Sequence, residues 1–279
     1  MSPQLDLARY LLIPGRDLLV IVGKANIRSD SVARIFSILE SQKIKILRIY
    51  ASASDEEGFA DLVVFMDVTD ATIPSESVGR VSESLGLIKV EKVVMSPIKG
   101  FIADTASYPV VADSFRAVIF RKPGYRELLE GIREYFGKSG DSFLYHIGYR
   151  TGLAYGKNHR KFAESLKIQD PALIYKDISS TLFQWAGFGR MNVQELDQER
   201  GTIIVYDSFE CELGKGRSIP YSQFVRGLLA GVLSELFGKG FNVMEEACIA
   251  KGDPSCKFVV KAMPRRSRPN LNYQKYTNA

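Results

Sequence analysis

The chain has 279 residues, 46% of them hydrophobic and 25% charged, with a net charge of +5. These are globular values that exclude a disordered chain and leave room for one large domain or two ordinary ones. No apolar run approaches the ~20 residues needed to span a bilayer, the N-terminus lacks a small-residue cleavage site, and three cysteines argue against a disulfide framework, so a cytoplasmic protein with no membrane span is expected.

In chain order, Asp17–Val22 is an apolar run of strand length. Ser29 or Asp30 can cap a helix whose apolar residues Val32, Ile35, Phe36 and Leu39 recur at spacings of 3 and 4. Ile44 to Ala51 reads as a strand, Ser54–Gly58 as a turn, and Leu62–Val68 as a buried central strand. Pro74 opens a second helix through Val78, Val81 and Leu85, ended by Gly86, and Val90–Met95 supplies the last strand. The order β-α-β-β-α-β is the ferredoxin-like arrangement, which makes residues 1–98 a first domain. Residues 99–124 form a connecting segment punctuated by Gly100, Pro109, Pro123 and Gly124, with Phe115–Phe120 expected as a strand.

Residues 125–262 read as a second α+β domain. Helices are expected over Tyr125–Tyr135, Ser142–Ala154, Leu173–Ala186 and Gln223–Phe237. Met191–Leu196 and Gly201–Cys211 form an antiparallel pair, followed by strands Phe241–Cys248 and Cys256–Ala262. Gly148, Gly152 and Gly156 recur every four residues, and Gly227, Ala230, Gly231 and Ser234 stud the last helix, so both helices admit close neighbours. Residues 263–279 carry Arg265, Arg266, Arg268 and Lys275 among prolines, a flexible basic tail. Such a tail is a solubilising end or a contact for nucleic acid, acidic lipid or a protein partner.

The sharpest chemical signal is Glu245-x2-Cys248-x7-Cys256, with a Gly252-Asp253-Pro254 turn between the cysteines. Thiolates suit zinc, and a carboxylate three residues before a thiolate can reach the same ion. The spacing supplies three ligands and no obvious fourth. The alternative is a redox pair of Cys248 and Cys256 brought together by the turn. His146 and His159 are the only histidines; His146 lies on a helix, and His159 sits in a basic stretch, Lys157–Lys161, expected as a solvated turn. No nucleotide-binding, metalloprotease or hydrolase signature is present, and no acid/base pair is visible from spacing, so no catalytic residue is assigned and the chain is not expected to be an enzyme. No helix-turn-helix pattern is evident, and direct DNA binding is not expected.

Two resemblances sharpen this reading. The element order of the first domain resembles the ACT family of small-molecule regulatory modules. That likeness implies an amino-acid site at a dimer interface, lined by the loop Gly23–Ile27, or else a pairing domain with no ligand. In the second half, Tyr145–Gly152, Asp207-Ser208-Phe209-Glu210, Phe224–Gly231 and Glu245-x2-Cys248-x3-Gly252-Asp253-x2-Cys256-x-Phe258 are similar, in order, to the motifs of the 4-vinyl reductase domain. The likeness covers roughly residues 115–262, and the family includes many archaeal stand-alone proteins. It implies a fold shared with subunits of the eukaryotic transport particle (TRAPP) and related to nitric-oxide-signalling ligand-binding domains. A homodimer, an internal pocket for a small apolar or aromatic molecule, and a structural zinc are implied with it.

The resemblance places Glu245, Cys248 and Cys256 at the zinc positions. Ser222 stands where zinc-binding sensors have their first cysteine, and Cys211, on the preceding strand end, is either a substitute ligand or an ordinary buried thiol. It places Ile203, Val205 and Val243 along the pocket, with Tyr149, Trp185 and Phe188 as nearby aromatic candidates; each also reads as a plain core residue. Aliphatic lining favours an aliphatic or isoprenoid-like molecule held by apolar burial. The expected function is ligand sensing by a dimer in which the ligand shifts the arrangement of the domains. The alternatives are an assembly protein with a protein partner and an accessory to a tetrapyrrole enzyme.

Overall fold

A computed structural model describes residues 6–26, 36–53, 58–84 and 88–264. The chain divides into two units, Met1–Ile119 and Phe120–Ala279.

In the first unit a short hairpin of β1 (Tyr10–Leu12) and β6 (Phe101–Ala103) accompanies a four-stranded sheet of β2 (Leu18–Asn26), β3 (Lys45–Ala53), β4 (Phe59–Asp67) and β5 (Ile88–Met95). The sheet order is β3-β4-β2-β5 and every pairing is antiparallel. The first strand therefore lies between the third and fourth, the interleaving of a split β-α-β motif. Side chains alternate across the pleat. Leu19, Ile21, Val64 and Met66 pack with Leu39 of α1 (described over residues 36–41) and Val78 of α2 (Ser75–Ser84). Leu18, Val20, Val63 and Phe65 form a separate cluster with Ile102 and with Leu11 of the hairpin. Burial on both faces explains why Leu62–Met66 is a continuous apolar run rather than an alternating one.

Three expectations change here. Gly23–Asn26 is not loop but the continuation of β2, paired with Phe59–Leu62. Gly23 is required by a close approach: a Cβ there would lie 2.3 Å from the Lys89 carbonyl oxygen, at the irregularity in the β2–β5 register. Of the expected strand Phe115–Phe120, only β8 (Phe115–Arg116) pairs, with β7 (Val111–Ala112). Val118, Ile119 and Phe120 are exposed, so no packing holds the rest extended. The helix cap at Ser29 or Asp30, with Val32 and Ile35, lies outside the described residues, as do most of the turn after β3, Leu85, Gly86 and the basic tail from Arg265.

The second unit has a four-stranded antiparallel sheet, order β11-β12-β10-β9, of β9 (Arg190–Leu196), β10 (Arg200–Tyr206), β11 (Phe241–Ala247) and β12 (Cys256–Ala262). Its helices are α3 (Lys122–Phe136), α4 (Lys138–Ser165), α5 (Pro171–Leu173), α6 (Ser180–Trp185), α7 (Phe209–Leu213) and α8 (Gln223–Phe237), with a π-helical turn, Ile174–Ser179, between α5 and α6. The core lies between α8 and the sheet, where Val225, Leu228, Leu229 and Val232 meet Ile203, Val205, Val243 and Phe258.

On its other side α8 meets α4 backbone to backbone. A Cβ on Gly148 would lie 2.1 Å from the Phe224 carbonyl oxygen, and one on Gly152 2.2 Å from that of Leu228. Reciprocally, Gly227 faces Tyr145 at 2.0 Å and Gly231 faces Tyr149 at 2.2 Å. Glycines on each helix thus receive the carbonyls of the other, as the four-residue spacing predicts.

Helix α4 runs on through Lys157–Lys161, so His159 is not in a solvated turn. Gly156, His159 and Ala163 form a buried stripe at spacings of 3 and 4, which the surrounding basic residues hide in the sequence. The His159 ring is 7% exposed, with Nδ1 2.9 Å from Ser179 Oγ, and burial pushes its pKa down to about 4. The strand expected over Gly201–Cys211 ends at Tyr206. Asp207 takes a positive φ of 53°, a turn conformation that aspartate tolerates, and the chain enters α7. Cys211 is therefore on a short helix.

Candidate metal centre and apolar interior

Cys211, Glu245, Cys248 and Cys256 place one ligand atom each within 4.8 Å of one another. Cys211 Sγ is 3.5 Å from Cys248 Sγ and 3.4 Å from Cys256 Sγ, and Glu245 Oε1 is 3.9 Å from Cys211 Sγ. All three cysteines are free. These separations are far from the ~2.05 Å of a disulfide. They approach the edge of a tetrahedron with metal–sulfur bonds of about 2.3 Å, roughly 3.8 Å. The three sulfurs are buried, so the site is dry as well as compact.

Local structure holds each ligand. Glu245 lies on β11, Cys248 follows its end, and Cys256 begins β12. Between them Asp253 folds the turn back: its Oδ2 accepts the Cys248 N–H at 2.7 Å. The Tyr221 N–H reaches Cys248 Sγ and the Ile249 N–H reaches Cys256 Sγ, each at 3.4 Å. Such donors favour the thiolate form. The third sulfur comes from α7, so Cys211 joins the pair that the spacing predicts.

Ser222 stands inside this group without replacing a thiolate. Its Oγ is 2.6 Å from Cys211 Sγ and donates to Glu245 Oε1 at 2.8 Å. It is the residue before α8, yet its hydroxyl does not cap that helix. Glu210, beside Cys211 on α7, does so instead, accepting the N–H groups of Phe224 at 3.1 Å and Val225 at 2.8 Å. Arg133 of α3 closes the arrangement with Nη2 2.6 Å from Glu210 Oε1. Glu210 is not among the expected site residues. Its signal was its place in Asp207-Ser208-Phe209-Glu210, one residue before Cys211.

The electrostatics suit a cation. Burial, the Cys248 contact and the Cys248 charge push the Glu245 carboxyl up to about 8, against the Ser222 donors. Hydrogen bonding to Cys248 and Cys256, with burial, pushes the Cys211 thiol up. Hydrogen bonds from Cys211 and Cys256 hold Cys248 down. The cluster thus retains protons at neutral pH, and a divalent cation would enter by displacing them. Three sulfurs and a carboxylate can hold such an ion, and they favour a soft or borderline one.

Of the expected pocket residues, Ile203, Val205 and Val243 are buried together under α8, and Tyr149 and Phe188 are half-buried against them. Trp185 is not brought in: it is 68% exposed at the end of α6. Phe183, two positions earlier and so on the opposite side of the helix, takes the inward place. Phe183, Phe188, Phe209 and Phe224 form an aromatic group with successive ring centroids 5.3–6.5 Å apart. Tyr175, on the π-helical turn, is 1% exposed in the same core, and its hydroxyl has no partner among the described residues. His146 lies elsewhere, exposed in a polar cleft of about 240 Å³ with Asp141, Ser142, Tyr145, Gln223 and Arg226.

Residues 202–262 match the 4-vinyl reductase domain, a stretch that contains all four candidate ligands. An uncharacterized protein of Methanocaldococcus jannaschii is 30% identical over 136 residues, covering 48% of this chain and 53% of that one. A second from the same organism is 29% identical over 76 residues, covering 27% of this chain and 44% of that one. The chain thus spans about half, or less, of the length of these relatives. Among solved structures, the phenol-responsive sensory domain of the transcription activator PoxR with phenol aligns with a TM-score of 0.49 at 17% identity, over 53% of this chain and 77% of that one. A vinyl-4-reductase family protein from Methanocaldococcus jannaschii aligns with a TM-score of 0.34 at 22% identity, over 53% of this chain and all of that one, 100%.

Proposed function

We propose that the chain is a ligand-sensing regulatory protein of the cytoplasm, a homodimer, whose 4-vinyl reductase domain is clamped by a structural zinc ion and holds a small apolar molecule between its sheet and helices. Zinc fits the donor set of Cys211, Glu245, Cys248 and Cys256. With four protein ligands the site is closed, the pattern of a structural rather than a catalytic ion. It would tie α7 to the β11–β12 turn beneath the start of α8.

The observation that carries the ligand is Tyr175. A buried hydroxyl without a partner costs about 1–3 kcal/mol, and π-helical turns concentrate at functional sites. A molecule with an apolar body and one polar atom, lying against Ile203, Val205, Val243, Tyr149 and Phe188, would relieve that cost. The first unit serves as an ACT-like pairing and regulatory module, and ligand binding changes the relation of the two units. A second reading, an assembly protein with a protein partner, is favoured by the exposed Trp185.

Native mass spectrometry of the purified full chain tests these readings together. The expected result is a dimer with one zinc per chain and a small-molecule adduct that Val205→Trp reduces. A metal-free, adduct-free chain recovered with a stable protein partner would favour assembly. An adduct unaffected by Val205→Trp would remove the ligand from this interior.

A further inference from the structure

The first unit contains a cavity of about 170 Å³ on the helix-bearing face of its sheet. The sequence explains why the space is there. Ala25 on β2 is paired with Ala60 on β4, and Ala51 on β3 lies opposite Leu62, the next residue on that face of β4. All three alanines line the cavity. At the other end of the face, Ile21, Val64 and Met66 fill the layer under α1 and α2. Three adjacent strands thus carry methyl groups where the neighbouring positions carry full aliphatic side chains.

The lining is almost wholly apolar. Ser82 is its one polar residue among the described residues, and that hydroxyl donates to the Val78 carbonyl at 2.8 Å. A water needs two to four polar partners, which this wall does not offer. Phe36 and Ile49, both on the lining, are 39% and 40% exposed, so the cavity reaches the surface without unfolding of the sheet. An engineered aliphatic cavity of about 150 Å³ takes benzene or xenon.

We propose that this cavity binds one compact apolar molecule of about the size of toluene. The site lies in the first unit and is distinct from the apolar interior of the second, so it stands or falls separately from the proposed function. Its walls select by shape and by the lack of polar groups, and a ligand with a charged or hydroxylated edge would be rejected.

The test uses toluene with the full-length chain labelled at isoleucine methyls. Titration should shift the methyl resonances of Ile21, Ile46 and Ile88, and leave that of Ile203 in place. At ten times its dissociation constant, toluene should raise the folding equilibrium constant of this unit about tenfold. Ala60→Leu and Ala25→Leu should each abolish the shifts without lowering the thermal midpoint. No shift in the parent, or shifts confined to Ile203, would overturn the proposal. So would a parent that ignores toluene together with an unfolded Ala60→Leu, because the space would then be filled by the chain's own side chains. If both variants fail to fold, the parent's pattern of shifted isoleucines still decides.

Discussion

Replacing Gly152 by alanine puts the α4–α8 contact under direct stress. The new Cβ would lie 2.2 Å from the Leu228 carbonyl oxygen and 2.9 Å from the Gly231 Cα. Both atoms are backbone, so no side chain can swing aside. To reach even 3.0 Å the helices must part by about 0.8 Å, a gap that forfeits a quarter to a half of the dispersion well at each contact. The same movement loosens the neighbouring contacts at Gly148, Gly227 and Gly231. Overpacking of this kind costs roughly 1–3 kcal/mol or more, and alanine's better helix propensity returns about 1 kcal/mol. The expected net loss is about 2 kcal/mol, read as a lower urea midpoint by circular dichroism. Gly131→Ala in α3 is the control, since its Cβ would meet nothing within 4 Å. That change should stabilise by about 0.5–1 kcal/mol. A Gly152→Ala protein that matches Gly131→Ala in sign and size would refute the close approach.

Three further outcomes are expected. Cys211→Ser should release zinc and lower the thermal midpoint by roughly 5 °C, and adding Ser222→Cys should restore the metal; loss of zinc in neither variant would remove Cys211 from the site. His159 is neutral when folded, with a pKa of about 4 against 6.5 for the free group, so the unfolded chain binds the extra proton. Its contribution is complete above pH 6.5 and is lost as pH falls toward 4, roughly 3 kcal/mol in all, and His159→Gln should flatten that part of the stability–pH curve. Tyr175→Phe should leave ligand-free protein unchanged or about 1 kcal/mol more stable while weakening ligand binding; clear destabilisation in chemical denaturation would mean that the hydroxyl already has a partner.

Periodic features were legible in the sequence, and features made by distant segments were not. The strands of both sheets and the span Gln223–Phe237 follow from apolar runs and spacings that local chemistry controls. The continuation of α4 past Ala154 was hidden because its buried stripe there consists of glycine, histidine and alanine, which carry little apolar signal. Gly23 looked like loop punctuation, yet it serves a strand that must pass close to the Lys89 carbonyl. Trp185 looked like a pocket aromatic by composition, and helix phase alone puts it outside while Phe183 goes in. Glu245, Cys248 and Cys256 could be read from their spacing. The position of Cys211 depends on where the chain turns at Asp207, which spacing does not encode.

Ser222 links these observations. A serine before a helix ordinarily spends its hydroxyl on the helix N–H groups. Here the hydroxyl turns to Cys211 and Glu245, and the helix start is capped from outside by Glu210. Glu210 and Cys211 are adjacent on α7, so one short helix is fixed from two directions, by Arg133 through the carboxylate and by the sulfur cluster through the thiol. Arg133 also donates to the Tyr221 carbonyl at 2.9 Å, which joins α3 to the residue next to Ser222. A change in the cluster, whether by loss of a metal or by oxidation, therefore acts on the capping of α8 and on the docking of α3. Because α8 touches both α4 and the sheet, the metal centre is placed to set how firmly the apolar interior is closed.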